Sequence, residues 1–211
     1  VATASGKTTK GAANGVGPVL AWIGLLWLIY ATDVVLTQRV FIEYSQGPWT
    51  GGYLQTLFGI KPLTLFGFLC IPTAPLMHAS IAHLSANSVG LLILGWPSWR
   101  YSPKLTMVAV CEAVVFGGLL AWALGAPGSV HIGASGVIFG LIGFLIGNGI
   151  FRRGCMPVLL GLGTALLFLG VLPQALPAHA HDGGGTVSWQ MHLGGLLGGL
   201  SASWHTRSQE R

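Results

Sequence analysis

Six apolar runs punctuate this chain, at Pro18–Leu36, Ser80–Gly95, Leu105–Leu124, Gly133–Phe151, Pro157–Leu172 and Gln190–Trp204. A bilayer core of roughly 30 Å takes about 20 apolar helical residues, somewhat fewer where neighbouring helices bury a polar end. Lipid tolerates only segments that satisfy their own backbone hydrogen bonds. The runs therefore predict an all-α membrane protein, a six-transmembrane-helix bundle over residues 18–205. A flexible cytoplasmic N-terminus (1–17) and a cytoplasmic tail (206–211) flank it. Composition agrees: 52% of residues are hydrophobic and only 7% are charged, far from ordinary soluble usage. The net charge of +5 would suggest nucleic acid as the partner of a soluble chain. Here the cations lie between apolar runs and read as topology signals instead, so no nucleic-acid partner is expected.

A seventh segment, Leu63–Ile71, competes as a span, but it is short and bracketed by Pro62, Pro72 and Pro75. Charge decides the count. With six spans and the N-terminus inside, Lys7, Lys10, Arg100, Lys104, Arg152, Arg153, Arg207 and Arg211 are cytoplasmic, leaving Arg39 and Lys61 outside. A seventh span would invert every later loop and reverse that bias. Trp96, Trp99 and Trp204 then fall at the inner interface, and Trp49, Trp122 and Trp189 near the outer one. The first outer loop, Thr37 to Ala79, should lie in or against the outer leaflet. The last, Pro173 to Trp189, carries three successive glycines after His179, His181 and Asp182, the composition of a mobile lid. Cys70, Cys111 and Cys155 fall outside, within and on the inner side of the bilayer, so no disulfide is expected. No small-residue cleavage site follows the first run, which reads as a retained helix.

Polar residues in hydrocarbon are expensive, and several recur at one depth. His83 and Asn87 stand at i and i+4 near the outer end of the second span, on one helical face. Ser135 is near the outer end of the fourth span and His192 near that of the sixth. Gly133, Gly136, Gly140, Gly143 and Gly147 make a smooth stripe on the fourth helix. Gly195 and Gly199 lie on the His192 face of the sixth. Small faces let membrane helices approach closely, which would bring the His192 imidazole to the Ser135 hydroxyl, as a serine nucleophile requires. Phe139, one turn below Ser135, would pack on that imidazole. Taken alone, Gly133-Ala134-Ser135-Gly136 is a weak signal, since a serine in a glycine-rich membrane helix most often bonds a backbone carbonyl. The joint pattern carries the reading.

These residues resemble the rhomboid intramembrane proteases. The second-span pattern matches His78-Ala79-Ser80-Ile81-Ala82-His83-Leu84-Ser85-Ala86-Asn87, the nucleophile motif Gly133-Ala134-Ser135-Gly136-Val137-Ile138-Phe139-Gly140, and the last helix His192-Leu193-Gly194-Gly195 followed by Gly199. The resemblance covers about Val19 to Trp204. A Trp-Arg pair often found in the family's first loop would fall near Leu69-Cys70 and is absent; Met191 stands where many relatives carry a small residue. The resemblance implies a rhomboid-like bundle and a serine endopeptidase with a dyad of Ser135 and His192. It implies substrates that are single-pass membrane proteins, cut near the outer membrane boundary. His83, Asn87 and the Ser135 backbone N–H would hold the oxyanion. His78 would hold the first loop against the second span, and Gly133, Gly136, Phe139, Gly195 and Gly199 would support the pair.

Asp182, the acid of the last loop, is expected to be solvated rather than a third catalytic member. Glu112 reads as the one clear intramembrane acid, protonated or hydrogen-bonded between helices. His179, His181 and Asp182 lack a fourth ligand of suitable spacing, so neither metal nor cofactor is expected. Two rival classes are a non-catalytic rhomboid-like protein that binds membrane segments and a small transporter. The first usually lacks the dyad, and the second needs polar groups through the whole depth or an inverted repeat. The expected setting is a prokaryotic plasma membrane, multi-pass; the sequence does not fix the oligomeric state.

Overall fold

The computed structural model describes residues 15–41, 52–179 and 188–208. Within them the chain is helical, and the one β contact is an isolated antiparallel bridge between Ile60 and His131. Nine α-helices are described: α1 (Gly17–Phe41), α2 (Tyr53–Phe58), α3 (Leu65–Leu69), α4 (Ile81–Gly90), α5 (Trp96–Tyr101), α6 (Pro103–Leu124), α7 (Ser135–Phe151), α8 (Cys155–Leu167) and α9 (Trp189–His205). Among them α1 and α6 are long and apolar enough to cross a bilayer unaided. Lys7, Lys10, Trp49, His181, Asp182 and Arg211 lie outside the described residues, as does the glycine-rich part of the expected lid.

Helix boundaries depart from the apolar runs where a polar group or a backbone constraint intervenes. α1 runs on to Phe41, past the expected Leu36, because Asp33 and Thr37 are used to receive the first loop. The second run becomes α4, a π segment at Leu91–Gly95 and α5 without a break. Pro97, which has no N–H to offer its own helix, follows that widened turn. α8 stops at Leu167 rather than Leu172, ahead of Gly170 and Pro173, and at 13 residues it rises only about 20 Å. α7 begins at Ser135, not at Gly133, because Gly133 has φ +110° and donates its N–H to the Ala74 carbonyl at 3.0 Å.

The core is built on α7, which is buried on nearly every side from Gly136 to Asn148. α9 makes the most extensive packing in the bundle, against α7 on one side and α6 on the other. Glycine explains how. A Cβ on Gly195 would collide with the Gly136 carbonyl, and one on Gly199 with the Gly140 carbonyl. Gly194 and Gly198 meet the α6 backbone in the same manner, at the Phe116 and Glu112 carbonyls, 2.5 and 2.6 Å from where a Cβ would stand. The doublets Gly194-Gly195 and Gly198-Gly199 thus give α9 two smooth faces, one for each neighbour. The glycine spacing in the sequence showed only the face toward α7. The periphery is the inverse: Leu20, Leu28 and Val35 on α1 and Leu159, Leu162 and Leu166 on α8 are exposed and apolar, the surface a lipid solvent favours.

The end of the α7/α9 contact farther from Ser135 is closed by hydrogen bonds. Arg152, whose position in the sequence reads as a topology charge, is buried. It donates from Nε to Asn148 Oδ1 at 2.8 Å and from Nη2 to Thr206 Oγ1 at 2.8 Å. Ser203 Oγ donates to the same Asn148 oxygen at 2.8 Å.

The first loop is docked, not draped. Asp33, buried in α1, accepts from the Leu54 N–H at 2.7 Å and from Gln55 Nε2 at 3.1 Å, while Thr37 Oγ1 accepts from the Tyr53 N–H at 2.9 Å. α1 therefore caps the N-terminus of α2 across the loop, a place where the helix dipole favours negative charge. Glu112 is not the one intramembrane acid that the sequence suggests; Asp33 lies inside the first apolar run. At the loop's far end Trp122 Nε1 donates to the Thr64 carbonyl at 2.8 Å, and Leu65, Phe66 and Leu69 of α3 present an exposed apolar ridge.

Replacing Gly199 with leucine should lower the unfolding midpoint in detergent steeply, since small-to-large changes in a packed core cost about 1–3 kcal/mol or more. Gly163, around whose Cβ position there is open space, is the control. Its replacement by leucine should change stability by less than about 0.5 kcal/mol.

Candidate functional site

Two helix starts meet near the end of the bundle where the first loop docks. Ser135 opens α7, where the first N–H groups have no acceptor inside the helix. His192 stands in the first turn of α9, whose N-cap is Ser188, accepting from the Met191 N–H at 3.4 Å. The glycine contacts between the helices hold these starts together. His192 Nε2 is 2.8 Å from Ser135 Oγ. Its ring is buried and stacks on Phe139, with centroids 4.2 Å apart and planes inclined by 11°.

The other ring nitrogen fixes the tautomer. Nδ1 lies 3.2 Å from the Gln174 carbonyl, an acceptor only, so Nδ1 carries the proton and Nε2 is left to accept from the Ser135 hydroxyl. Gln174 belongs to a 3₁₀ turn, Leu172–Ala175, in the first part of the last loop. No sequence signal pointed to it, because any residue type offers a backbone carbonyl. The nearer half of the expected lid is thus folded onto the histidine.

Gly133 brings the second-span residues to the same place. A Cβ at Gly133 would stand 2.7 Å from His83 Nε2 and 3.6 Å from Asn87 Nδ2. The bare backbone two residues ahead of Ser135 therefore lies directly under those two side chains. Asn87 is buried, and among the described residues its Nδ2 has no hydrogen-bond partner. A buried amide donor without an acceptor costs about 1–3 kcal/mol, and an orphan of this kind beside a nucleophile-type pair is suited to an oxygen that arrives with a ligand.

His78 lies apart from this group. It is buried, its carbonyl accepts from Gln55 Nε2 at 2.9 Å, and its ring centroid is 5.1 Å from that of His83. It joins the first loop to α4. Burial, with the nearby His83 adding to it, lowers its pKa to about 4, so the ring is neutral at ordinary pH. Glu112 faces away from the site and pairs with His205 of α9, Oε1 to Nε2, at 3.0 Å. Among the described residues no cluster of His, Cys, Asp or Glu could hold a metal ion, and the cysteines are free.

Comparison with known proteins follows the same line. A family model described as Rhomboid domain matches residues 66–209, more than half of the chain. An uncharacterized protein of Mycobacterium tuberculosis is 33% identical over 99% of this chain and 83% of its own length. Another uncharacterized protein, from Mycobacterium leprae, is 37% identical over 72% of this chain and 62% of its own. YdcA of Bacillus subtilis, provisionally named a rhomboid protease, is 25% identical over 88% of this chain and 85% of its own.

Gly133→Ala should destabilise the protein by about 1–3 kcal/mol, combining a strained positive φ with displacement of His83. Gly128→Ala carries a similar strain, at φ +82°, in open space. The difference between their unfolding midpoints in detergent isolates the His83 contact, and equal midpoints would refute it.

Proposed function

From the premise that the chain belongs to the rhomboid family, whose members are membrane proteins and generally serine proteases, we propose that it is an intramembrane serine endopeptidase with a Ser135–His192 dyad. One observation carries this reading: the 2.8 Å contact of Ser135 Oγ with His192 Nε2, in a ring whose other nitrogen is held by a backbone carbonyl. That is the arrangement of a nucleophile and its oriented base.

In the proposed reaction Ser135 Oγ attacks the scissile carbonyl carbon as its proton passes to His192 Nε2. The oxyanion that forms is stabilised by the Ser135 N–H at the start of α7, by Asn87 Nδ2 and by His83. The C–N bond then breaks, His192 returns the proton to the leaving amine, and water, activated by the same imidazole, releases the acyl group from Ser135. Gln174 takes the orienting position at Nδ1 that an acid fills in a triad, so Asp182 has no place in the chemistry. Stacking on Phe139 keeps the imidazole in plane through both proton transfers.

The chain crosses the membrane six times in this reading, with the second span formed by α4, the π segment and α5. Its N-terminus is inside, because that orientation puts the clustered cations on the cytoplasmic side. The site then lies near the outer surface, where water can reach it. Substrates are single-pass membrane proteins cut near their outer boundary. An intact helix hides its carbonyls in hydrogen bonds, so the cleaved stretch must unwind. The medium is a prokaryotic plasma membrane.

A fluorophosphonate probe should label the wild-type protein in detergent and leave Ser135→Ala unlabelled. Asn87→Ala should react about 10²–10³-fold more slowly, the usual cost of one oxyanion donor, and Asp182→Asn at close to the wild-type rate. Equal labelling of wild type and Ser135→Ala would sink the assignment. Absence of labelling from both would favour a non-catalytic protein that binds membrane segments.

A further inference from the structure

A second serine–histidine contact lies beside the first, with the residues exchanged. His131 is four residues ahead of Ser135, and Ser188 is four residues ahead of His192. His131 Nδ1 is 2.7 Å from Ser188 Oγ, against 2.8 Å for the Ser135–His192 pair. The two contacts are successive rungs between the same two strands of chain. Neither the motifs nor the proposed chemistry uses the upper one.

The proton directions in that rung can be followed. Ser129 Oγ commits its only hydrogen to the Ala126 carbonyl at 2.6 Å, so at 3.0 Å from His131 Nε2 it can only accept. Nε2 therefore carries the His131 proton, Nδ1 is bare, and the Ser188 hydroxyl donates to it. Ser188 keeps its lone pairs for the Met191 N–H that it caps. The ring is buried, which lowers its pKa and keeps it neutral, as this chain of bonds needs. The His131 backbone is held on its other side by paired bonds with Ile60 of the first loop, at 3.0 and 2.9 Å. One residue thus ties together the first loop, the segment leading into Ser135 and the cap of the helix that carries His192.

We propose that His131 is a positioning residue: through Ser188 it sets the height and angle of the α9 start against the α7 start, and so the Ser135–His192 distance. This rests on the catalytic reading above. Glycine packing fixes how closely the two helices approach, but smooth faces can slide; a directional bond near their ends fixes the register.

The test compares wild type, His131→Ala, Ser188→Ala, the double variant and His131→Asn, reconstituted in vesicles with a single-pass peptide substrate. His131→Ala should lower kcat about tenfold or more at unchanged KM, since small misplacements of reacting groups are costly. Ser188→Ala should do the same, and the double variant no worse than either single, because both remove one interaction. His131→Asn, whose Oδ1 can accept from Ser188, should recover much of the rate. A wild-type kcat in His131→Ala, a loss confined to KM, or single effects that multiply would overturn the proposal. Hydrogen exchange gives a second, independent readout: His131→Ala should deprotect residues 188–196 while α8 stays as protected as in wild type. If the wild-type protein cleaves nothing, the catalytic reading fails, and unchanged exchange at 188–196 would then overturn this one as well.

Discussion

Contact between the backbones of α7 and α9 is the constraint on which the rest of the structure depends. Where Gly195 and Gly199 lie against the carbonyls of Gly136 and Gly140, no side chain keeps the helix axes apart. In lipid, apolar burial gives helices little reason to associate, so close van der Waals contact and interhelical hydrogen bonds must do it. A methyl group at either position would push α9 outward. His192 would then leave Ser135 even though neither residue had changed.

That contact is pinned at both ends by polar groups of different kinds. Arg152, Asn148, Ser203 and Thr206 form a buried network at one end, and His131 with Ser188 joins the segments at the other. Hydrogen bonds have direction and glycine packing has little, so bonds at the ends of a smooth interface select one register among several that pack equally well. The same division of labour holds in the first loop. Asp33 and Thr37 of α1 cap α2, Trp122 of α6 holds Thr64, and Ile60 pairs with His131, so a long connection becomes a docked wall beside the site.

The site itself joins an oriented pair to an unpaired donor. Gln174 supplies the fixed acceptor that defines the His192 tautomer, and Asn87 supplies a buried amide with nothing among the described residues to bond. The first feature is complete without a ligand. The second is not, and its cost is tolerable only where the surrounding packing over-determines the fold, as the glycine interfaces do here.

Much of this was legible from residue order alone. Apolar runs and scattered cations announced a helical membrane bundle, because lipid leaves a chain few other ways to satisfy its backbone. The spacing of His83 and Asn87 put them on one face, because a helix turns every 3.6 residues. The positions of Ser135 and His192 near helix starts, with glycines on matching faces, anticipated the contact between their side chains. What only the tertiary structure decided were the partners that have no side-chain signature: the Gln174 carbonyl at His192, the Ala74 carbonyl that stops α7 from starting at Gly133, and the second glycine face of α9. It also decided which charges are buried: Arg152, a topology mark in the sequence, and Asp33, an acid inside the first apolar run, both became working parts of the interior. The physical reason is common to all of these. Periodicity records which way a residue points along its own helix, whereas a backbone acceptor or a buried charge finds its partner only when separate segments have been brought into contact.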